Sequence, residues 1–207
     1  MQIIETYKKM LFSLVPSNLE KQLSEKPGSM TDALKNYALG GVLFSVFYFI
    51  YGIISQVFLS IISPLYAANL TSSILNIGLF SVLAPFLFIV INFVFTGIIY
   101  IIAKVLGGQG TFTEQFYHFS IINSGYHVAT SPLSIIPLLG GLWGMAVGLY
   151  YQYPTYLIYK SVHKLSKAKA IILVAIPLVV LFILLIIAVT LLATSIAALT
   201  SVMGARR

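Results

Sequence analysis

Glu114 and His118 are the two side chains in this sequence that are best spaced to do chemistry together. They are four residues apart, so both lie on one face of a helix. A carboxylate and an imidazole so placed can share a proton or supply two metal ligands, but a metal site needs a third and a fourth. His127 lies about half a turn off that face, and His163 falls in a lysine-rich segment. We therefore interpret Glu114 as a helix cap and His118 as a hydrogen-bonding group inside a bundle. A catalytic or metal role is the alternative hypothesis.

Uncharged polar residues interrupt the long apolar runs of the chain. They are Gln56, Asn76, Asn92, Thr96, Asn123, Gln152 and Thr155. Polar groups in lipid usually face neighbouring helices and bond across them, at about 0.6 kcal/mol each. The expected polar bundle interior consists of Asn92, Glu114, His118, Asn123 and Gln152. The same residue types would line a passive pore, whereas a pump would need charged residues, which the apolar runs lack.

Three glycines recur at every fourth position, at Gly140, Gly144 and Gly148. Small residues at that spacing share a helix face and let two helix backbones approach closely. We expect this face to pack against another helix of the same chain, with self-association of two chains as the alternative. Aromatic residues that indicate an interfacial belt lie on or near the same segment. They are Trp143, Tyr150, Tyr151, Tyr153, Tyr156 and Tyr159.

A lysine cluster follows this segment. Lys160, Lys164 and Lys167 lie at positions i, i+4 and i+7, so they share a face if the preceding helix continues through them. Lys169 comes next, and no acidic residue accompanies the four. Each lysine near a membrane surface is worth about 1 kcal/mol of attraction to anionic lipid, and an acidic protein partner would use the same charges. We interpret the four as lipid- or partner-contact residues, although a rule of membrane topology also explains them.

The elements that must position these residues follow from an extreme composition. Of the 207 residues, 59% are hydrophobic and 8% are charged, with a mean hydropathy of +0.98. An ordinary soluble domain carries about 25% charged residues, so a cytosolic enzyme and a disordered chain are excluded. The lack of cysteine excludes thiol catalysis and disulfides. A glycine-rich turn at 107–110 has no phosphate-binding Lys-Ser/Thr tail. We expect a membrane protein without a cofactor or a nucleic-acid partner.

Charge-free windows indicate where the chain crosses the bilayer. These windows are residues 36–103, 115–159 and 170–205. A transmembrane helix needs about 20 apolar residues, so the first window holds two spans, joined by a connector with Pro64 and the polar run 69–73. One helix across the second window would be roughly 67 Å long, so the chain turns back near Pro132. The five predicted spans are 36–62, 75–103, 115–130, 137–159 and 170–202. The predicted fold is all-α, a polytopic membrane helical bundle.

The distribution of lysines predicts the orientation. With five spans, the N-terminal segment and the loops at 104–114 and 160–169 lie on one side, and these segments carry the lysines. The opposite loops, at 64–73 and 130–136, carry no charge. The positive-inside rule therefore places the N-terminus in the cytoplasm and the C-terminus outside. Arg206 and Arg207 weigh against this orientation but are outnumbered.

The first 35 residues read as a cytoplasmic N-terminal segment, followed by a membrane domain at 36–205. An amphipathic stripe of Ile3, Tyr7, Met10 and Leu14 ends at Pro16 and predicts a short helix lying on the membrane. Docking of a partner is the alternative role for this helix. Ser17 and Glu20 have the spacing of a capping box for a second short helix, which Pro27 stops.

Several motifs resemble the Yip domain family, membrane proteins named for their interaction with Ypt/Rab GTPases. The first is a helix-ending loop with Lys104, Gly107, Gly108, Gly110, Thr111 and Phe112. Gly125-Tyr126 with the downstream Pro132 is similar to the family's turn between the third and fourth spans. A basic loop then leads from Leu165 into the last span at Pro177. The lead-in with Pro16, Leu19 and Ala33-Leu34-Lys35 is similar to that of prokaryotic members.

The resemblance implies five spans, a cytoplasmic N-terminus and no enzymatic activity. Eukaryotic relatives are adaptors of vesicle traffic and bind small GTPases through cytoplasmic N-terminal regions. The Asp-Leu-Tyr-Gly-Pro motif of those relatives does not occur in this chain, which leaves GTPase binding open. The short form resembles prokaryotic, archaeal-like members, which implies a location in the cell membrane.

Two functional hypotheses from different classes follow. The first is a non-enzymatic integral membrane scaffold that organises protein or lipid partners at its cytoplasmic face. It follows from the sparse catalytic groups, the glycine face and the lysine cluster. The second is a passive channel or permease for a small solute, which the buried amides of Asn92, Asn123 and Gln152 would line.

Overall fold

The computed structural model describes residues 2–136 and 139–204, and these are 88% helical with no strand among them. The helices, in chain order, are α1 (Gln2–Phe12), α2 (Pro16–Ser24), α3 (Met30–Ile62), α4 (Pro64–Ala68), α5 (Leu70–Val105), α6 (Phe112–Thr130), α7 (Leu139–Val162) and α8 (Lys167–Gly204). A 3-10 turn, Pro132–Ile135, joins α6 to the segment before α7. The expectation of an all-α membrane protein is confirmed at this level.

Three helices are long and apolar enough to cross a membrane, and they are α3, α5 and α8. The first begins with a capping box, in which Ser29 and Asp32 bond each other's backbone N–H groups. Large apolar side chains stay exposed along the outer surface, including Val82, Ile91 and Leu191 at 68%, 63% and 62%. Surfaces of this kind are stable only against lipid or another apolar partner.

The predicted boundaries of the first two spans need one correction. The connector was expected to include Thr71, Ser72 and Ser73, but α5 already begins at Leu70. The hydroxyl of Ser72 donates to the carbonyl of Asn69 at 2.9 Å, and the Ser73 N–H donates to the same carbonyl at 3.0 Å. Because short polar side chains can bond the preceding helical turn, this polar run extends the helix instead of breaking it.

α6 is the innermost helix, and it packs against α1, α3, α5 and α7. It is less apolar than the three long helices, as is α7, and neither is among the candidate spans. Five spans and the orientation of the termini therefore stay predictions. The predicted start of the fourth span, at 137, lies outside the described residues. So do Arg206, Arg207 and the end of the predicted membrane domain at 205.

The two N-terminal helices are packed into the bundle. Met10 of α1 and Leu19 of α2 are each 1% exposed, and the hydroxyl of Tyr150 on α7 donates to the carbonyl of Leu14 at 2.6 Å. The expected apolar stripe is divided, because Ile3 stays 59% exposed while Met10 is buried. The turn between α1 and α2 therefore lies against α7, and a position of α1 on the membrane surface stays a prediction.

The start of α2 differs from the predicted capping box. The helix begins at Pro16 with Val15 as its N-cap, and no side chain caps it. Proline suits this first position because it has no N–H to satisfy and its φ is already helical. Ser17 and Glu20 lie inside the helix as a result, and the carboxylate of Glu20 is not engaged at its end.

Candidate functional site

Lys160, Lys164, Lys167 and Lys169 surround the connection between α7 and α8, and we call these four residues the basic face. Lys164 has a φ of +51°, a left-handed conformation that commonly ends a helix. α7 stops at Val162 just before it. The condition under which Lys160, Lys164 and Lys167 would share a helix face, that the helix continues through all three, is therefore not met. The break places Lys160 on α7 and Lys167 at the first position of α8.

His163 anchors this connection in the bundle. Its ring is fully buried, and Nε2 lies 2.6 Å from the side-chain Oε1 of Gln115 on α6. The amide Nε2 of Gln115 donates to the carbonyl of Thr96 on α5 at 3.2 Å, so its Oε1 is the acceptor and the histidine Nε2 is the donor. The buried side chain of Gln115, on α6, thus links the loop that contains His163 to α5 and α6.

Burial governs the charge state of His163. Loss of solvent lowers the pKa of His163 to about 4; the charge of Lys104 contributes in the same direction and that of Glu114 opposes it. The ring is neutral near pH 7 as a result. The basic face therefore takes its charge from the lysines.

A second loop, 106–111, closes over the same histidine. The N–H of Gln109 donates to the carbonyl of His163 at 2.9 Å. A Cβ on Gly108 would lie 2.8 Å from His163 Nδ1, and one on Gly110 would lie 2.5 Å from the carbonyl oxygen of Val162. Only glycine allows this close approach of the two backbones. The glycine-rich turn therefore holds the two loops together.

Glu114 caps α6 at the base of this loop. Its carboxylate accepts from the backbone N–H of Thr111 at 2.7 Å and from the Thr111 hydroxyl at 2.9 Å. The backbone hydrogen bond is the largest cause of the lowered pKa of Glu114. Glu114 is thus at the rim of the bundle and not in its interior, while His118, one turn along, is 3% exposed. Within the described residues, no three His, Asp or Glu side chains converge in a group able to hold a metal ion.

The lysines of this end of the bundle differ in how much they are engaged. Lys169 donates to the carbonyl of Leu106 at 2.7 Å, and Lys104 donates to that of Gln109 at 3.4 Å. The ammonium of Lys160 lies 6.0 Å from the centre of the Tyr156 ring, within reach of a cation–π attraction. The side chains of Lys164 and Lys167 are exposed. Lys169 therefore connects the two loops, whereas Lys160, Lys164 and Lys167 are exposed.

The polar bundle interior centres on Asn123 of α6. Its amide donates to Asn92 Oδ1 on α5 at 2.6 Å and to the hydroxyl of Tyr37 on α3 at 3.3 Å. Its Oδ1 accepts from the hydroxyl of Tyr151 on α7. One amide therefore joins four helices. Gln152, predicted to belong to this group, instead donates to Gly148 of its own helix at 3.0 Å.

Two cavities flank the Asn92–Asn123 contact. One of about 350 Å³ reaches α8 and is lined by residues that include Asn92, Tyr151 and Leu178. The other, of about 300 Å³, is lined by residues that include Asn123, His127 and Gln152. Asn92, Asn123, Tyr151 and Gln152 line both cavities.

The glycine stripe on α7 is unevenly packed. A Cβ on Gly140 would lie 2.6 Å from the carbonyl of Leu133, whereas one on Gly144 would have nothing within 4 Å. Gly148 has only the hydroxyl of Tyr126, at 3.8 Å from such a Cβ. Gly140, Gly144 and Gly148 are thus not one continuous packing face within the chain, and self-association through them stays a prediction.

Sequence reasoning missed three residues of these networks. His163 was noted only as part of a lysine-rich segment, and Tyr151 was assigned to an aromatic belt. Gln115 attracted no attention, although it lies on the same helix as His118 and Asn123, where polar residues are frequent. The density of polar residues on α6 is a signal that could have indicated Gln115.

Comparison with known proteins gives one match. Residues 30–190 match the family model of the Yip1 domain. The matched stretch begins at the first residue of α3 and ends within α8, so it covers Lys160, Lys164, Lys167 and Lys169 together with the Asn123 network. No curated protein and no solved structure matches the chain.

Proposed function

This chain belongs to the Yip1 domain family of membrane proteins, and on that premise we propose that it is a non-enzymatic integral membrane scaffold that holds an acidic protein partner at its basic face. The proposal includes five spans, a cytoplasmic N-terminus and a location in the cell membrane. It also includes the absence of catalysis, which the engagement of Glu114 by Thr111 supports, because that carboxylate is committed to a helix cap.

The proposal rests on one observation. The lysine-rich connection between α7 and α8 is held in place by the buried contact between His163 and Gln115. Fixing the loop removes much of the entropy that a partner would otherwise have to overcome on binding. Lys164 strengthens the case, because a non-glycine residue in the left-handed conformation costs roughly 1–2 kcal/mol. A charged side chain thus stands at a strained, exposed position, a combination typical of functional sites.

The test is crosslinking in native membranes, followed by purification and identification of the captured proteins. We compare the wild-type chain with Lys164→Glu, Lys164→Arg and Lys164→Gly. Capture should persist with arginine, fall with glycine and disappear with glutamate, and it should weaken as salt is raised. Equal capture by the wild type and Lys164→Glu would overturn the proposal.

A passive channel or permease for a small solute is the second candidate, and the two cavities beside Asn92 and Asn123 favour it. Solute flux into proteoliposomes tests it, with empty liposomes as the blank. Asn123→Leu should lower the flux, whereas Asn76→Leu is the matched control because Asn76 is exposed and away from both cavities. Flux no greater than that of empty liposomes, across a panel of solutes, removes this candidate.

A further inference from the structure

We propose that a cleft between α2, α7 and α8 binds the headgroup of an aminophospholipid, a phosphodiester that carries a primary ammonium group. The cleft has a volume of about 440 Å³. Its lining consists of Glu20, Tyr153, Tyr156, Leu157, Lys160, Lys167 and Ile171. This site shares Lys160 and Lys167 with the basic face, but it goes beyond the scaffold proposal because it adds Glu20 and takes a lipid headgroup instead of a protein.

Two lysines of the cleft suit an anion. Lys160 comes from the last turn of α7 and Lys167 from the first position of α8, and both side chains are exposed. The ion pairs of the described residues, Lys8 with Glu5 and Lys35 with Asp32, leave these two lysines uncompensated. Two ammonium groups from separate helices thus line one cleft, and either can bind the single negative charge of a phosphodiester.

Glu20 and the tyrosines of the cleft suit a cation. Glu20 of α2 is exposed and takes part in neither of those ion pairs, and it is not used as a helix cap. The rings of Tyr153 and Tyr156 line the same cleft and stack with their centres 6.2 Å apart; Lys160 lies over the Tyr156 ring, so the Tyr153 ring is the face left for a ligand. A carboxylate combined with aromatic faces is the chemistry that recognises ammonium groups. A purely anionic headgroup would meet the repulsion of Glu20, whereas a zwitterion satisfies all three charges.

The position of the cleft suits a lipid. It lies at the start of α8, one of the three helices able to cross a membrane. Ile171 closes the cleft and is 49% exposed, and the exposed apolar side chains of Ile172 and Val179 continue from it along α8. Acyl chains can follow this surface while the headgroup stays among the lysines. Tyrosines at this level are also typical of the membrane–water interface.

Native mass spectrometry of the purified full-length protein tests the site. Phosphatidylethanolamine and phosphatidylglycerol with identical acyl chains are added in turn to the wild type and to the variants. The cleft variants are Glu20→Gln and the double variant Lys160→Ala/Lys167→Ala. Glu25→Gln and Lys26→Ala are the matched controls, since both residues are exposed, outside the cleft and outside the basic face.

The wild type should retain phosphatidylethanolamine in preference to phosphatidylglycerol. Glu20→Gln should weaken phosphatidylethanolamine binding by about fivefold, the upper range for one exposed ion pair, without weakening phosphatidylglycerol binding. The double lysine variant should weaken both lipids, and the controls neither. Equal retention of the two lipids by the wild type and Glu20→Gln would overturn the proposal. Loss of a crosslinked protein in the double variant, without any change in lipid binding, would assign the cleft to a protein partner and also overturn it.

Discussion

The imidazole Nε2 of His163 and the amide Oε1 of Gln115 lie 2.6 Å apart, and both side chains are fully buried. The two residues are far apart in the sequence, one in a lysine-rich loop and the other in the first turn of the innermost helix. Their contact converts a charged loop into part of the packed bundle. The fixed position of the basic face depends on this contact between His163 and Gln115.

Replacing Gln115 should destabilise the protein. Gln115→Leu leaves the buried N–H of His163 without an acceptor, and we expect the free energy of unfolding to fall by about 1–3 kcal/mol. Thermal unfolding in detergent measures the effect. The double variant Gln115→Leu/His163→Leu should lose less than the sum of the single variants, because the pair is removed together. Additive losses would show that the contact contributes nothing.

Acidification should destabilise the fold through His163. The pKa of this residue is lowered from 6.5 to about 4 by burial and by Lys104, against the opposing charge of Glu114. The unfolded chain therefore binds a proton at a higher pH than the folded chain. Stability is lost as the pH falls from about 6.5 towards 4 and is unaffected by further increases above that window. The Tm of the wild type should drop more steeply across this range than that of His163→Gln; parallel curves would contradict the assignment.

A methyl group at Gly110 should separate the two loops. In Gly110→Ala the new Cβ would meet the carbonyl of Val162 at 2.5 Å, and we expect a loss of about 1–3 kcal/mol from the forced shift. Limited proteolysis after Lys164 should become faster at the same time. Gly141→Ala is the matched control, since nothing lies within 4 Å of its Cβ, and it should be neutral or stabilising by up to about 1 kcal/mol. Equal behaviour of the two variants would argue against the close approach.

Asn123 should be the most sensitive polar residue of the interior. Asn123→Leu removes three inter-helix hydrogen bonds at about 0.6 kcal/mol each, so we expect a loss of about 2 kcal/mol. Unfolding of the purified protein by a denaturing detergent measures it. Asn76→Leu, on the exposed surface of α5, should have little effect. Similar losses in both variants would mean that the four-helix junction is not a source of stability.

The charge-free windows were sufficient to locate the long helices. Residues 36–62 and 75–103 fall inside α3 and α5, because long apolar runs without charge have one stable backbone conformation in lipid. The helix break at Lys164 was not predictable in this way, since lysine carries no general preference for a left-handed φ. Lys164 follows directly after His163, whose contact with Gln115 is made across the fold and cannot be read from the local sequence.

The N-terminal helices show the same limit. Met10 and Leu14 have the spacing of a membrane-surface helix, and their burial against the bundle depends on Gly125, where a Cβ would collide with the backbone of Met10. A single sequence does not show that a small residue on one helix will pack against an apolar stripe on another. The positions of some polar residues could be predicted. Asn92 and Asn123 were both expected in the interior, and they form a hydrogen bond with each other.

Our proposal places the basic face on the cytoplasmic side of the membrane. The chain has no cysteine, so single cysteines at the exposed positions Ser166→Cys and Ala67→Cys can each be labelled with a membrane-impermeant thiol reagent. In intact cells, we expect the reagent to label Ala67→Cys. We expect Ser166→Cys to stay unlabelled until the membrane is opened. Labelling of Ser166→Cys from outside would contradict it.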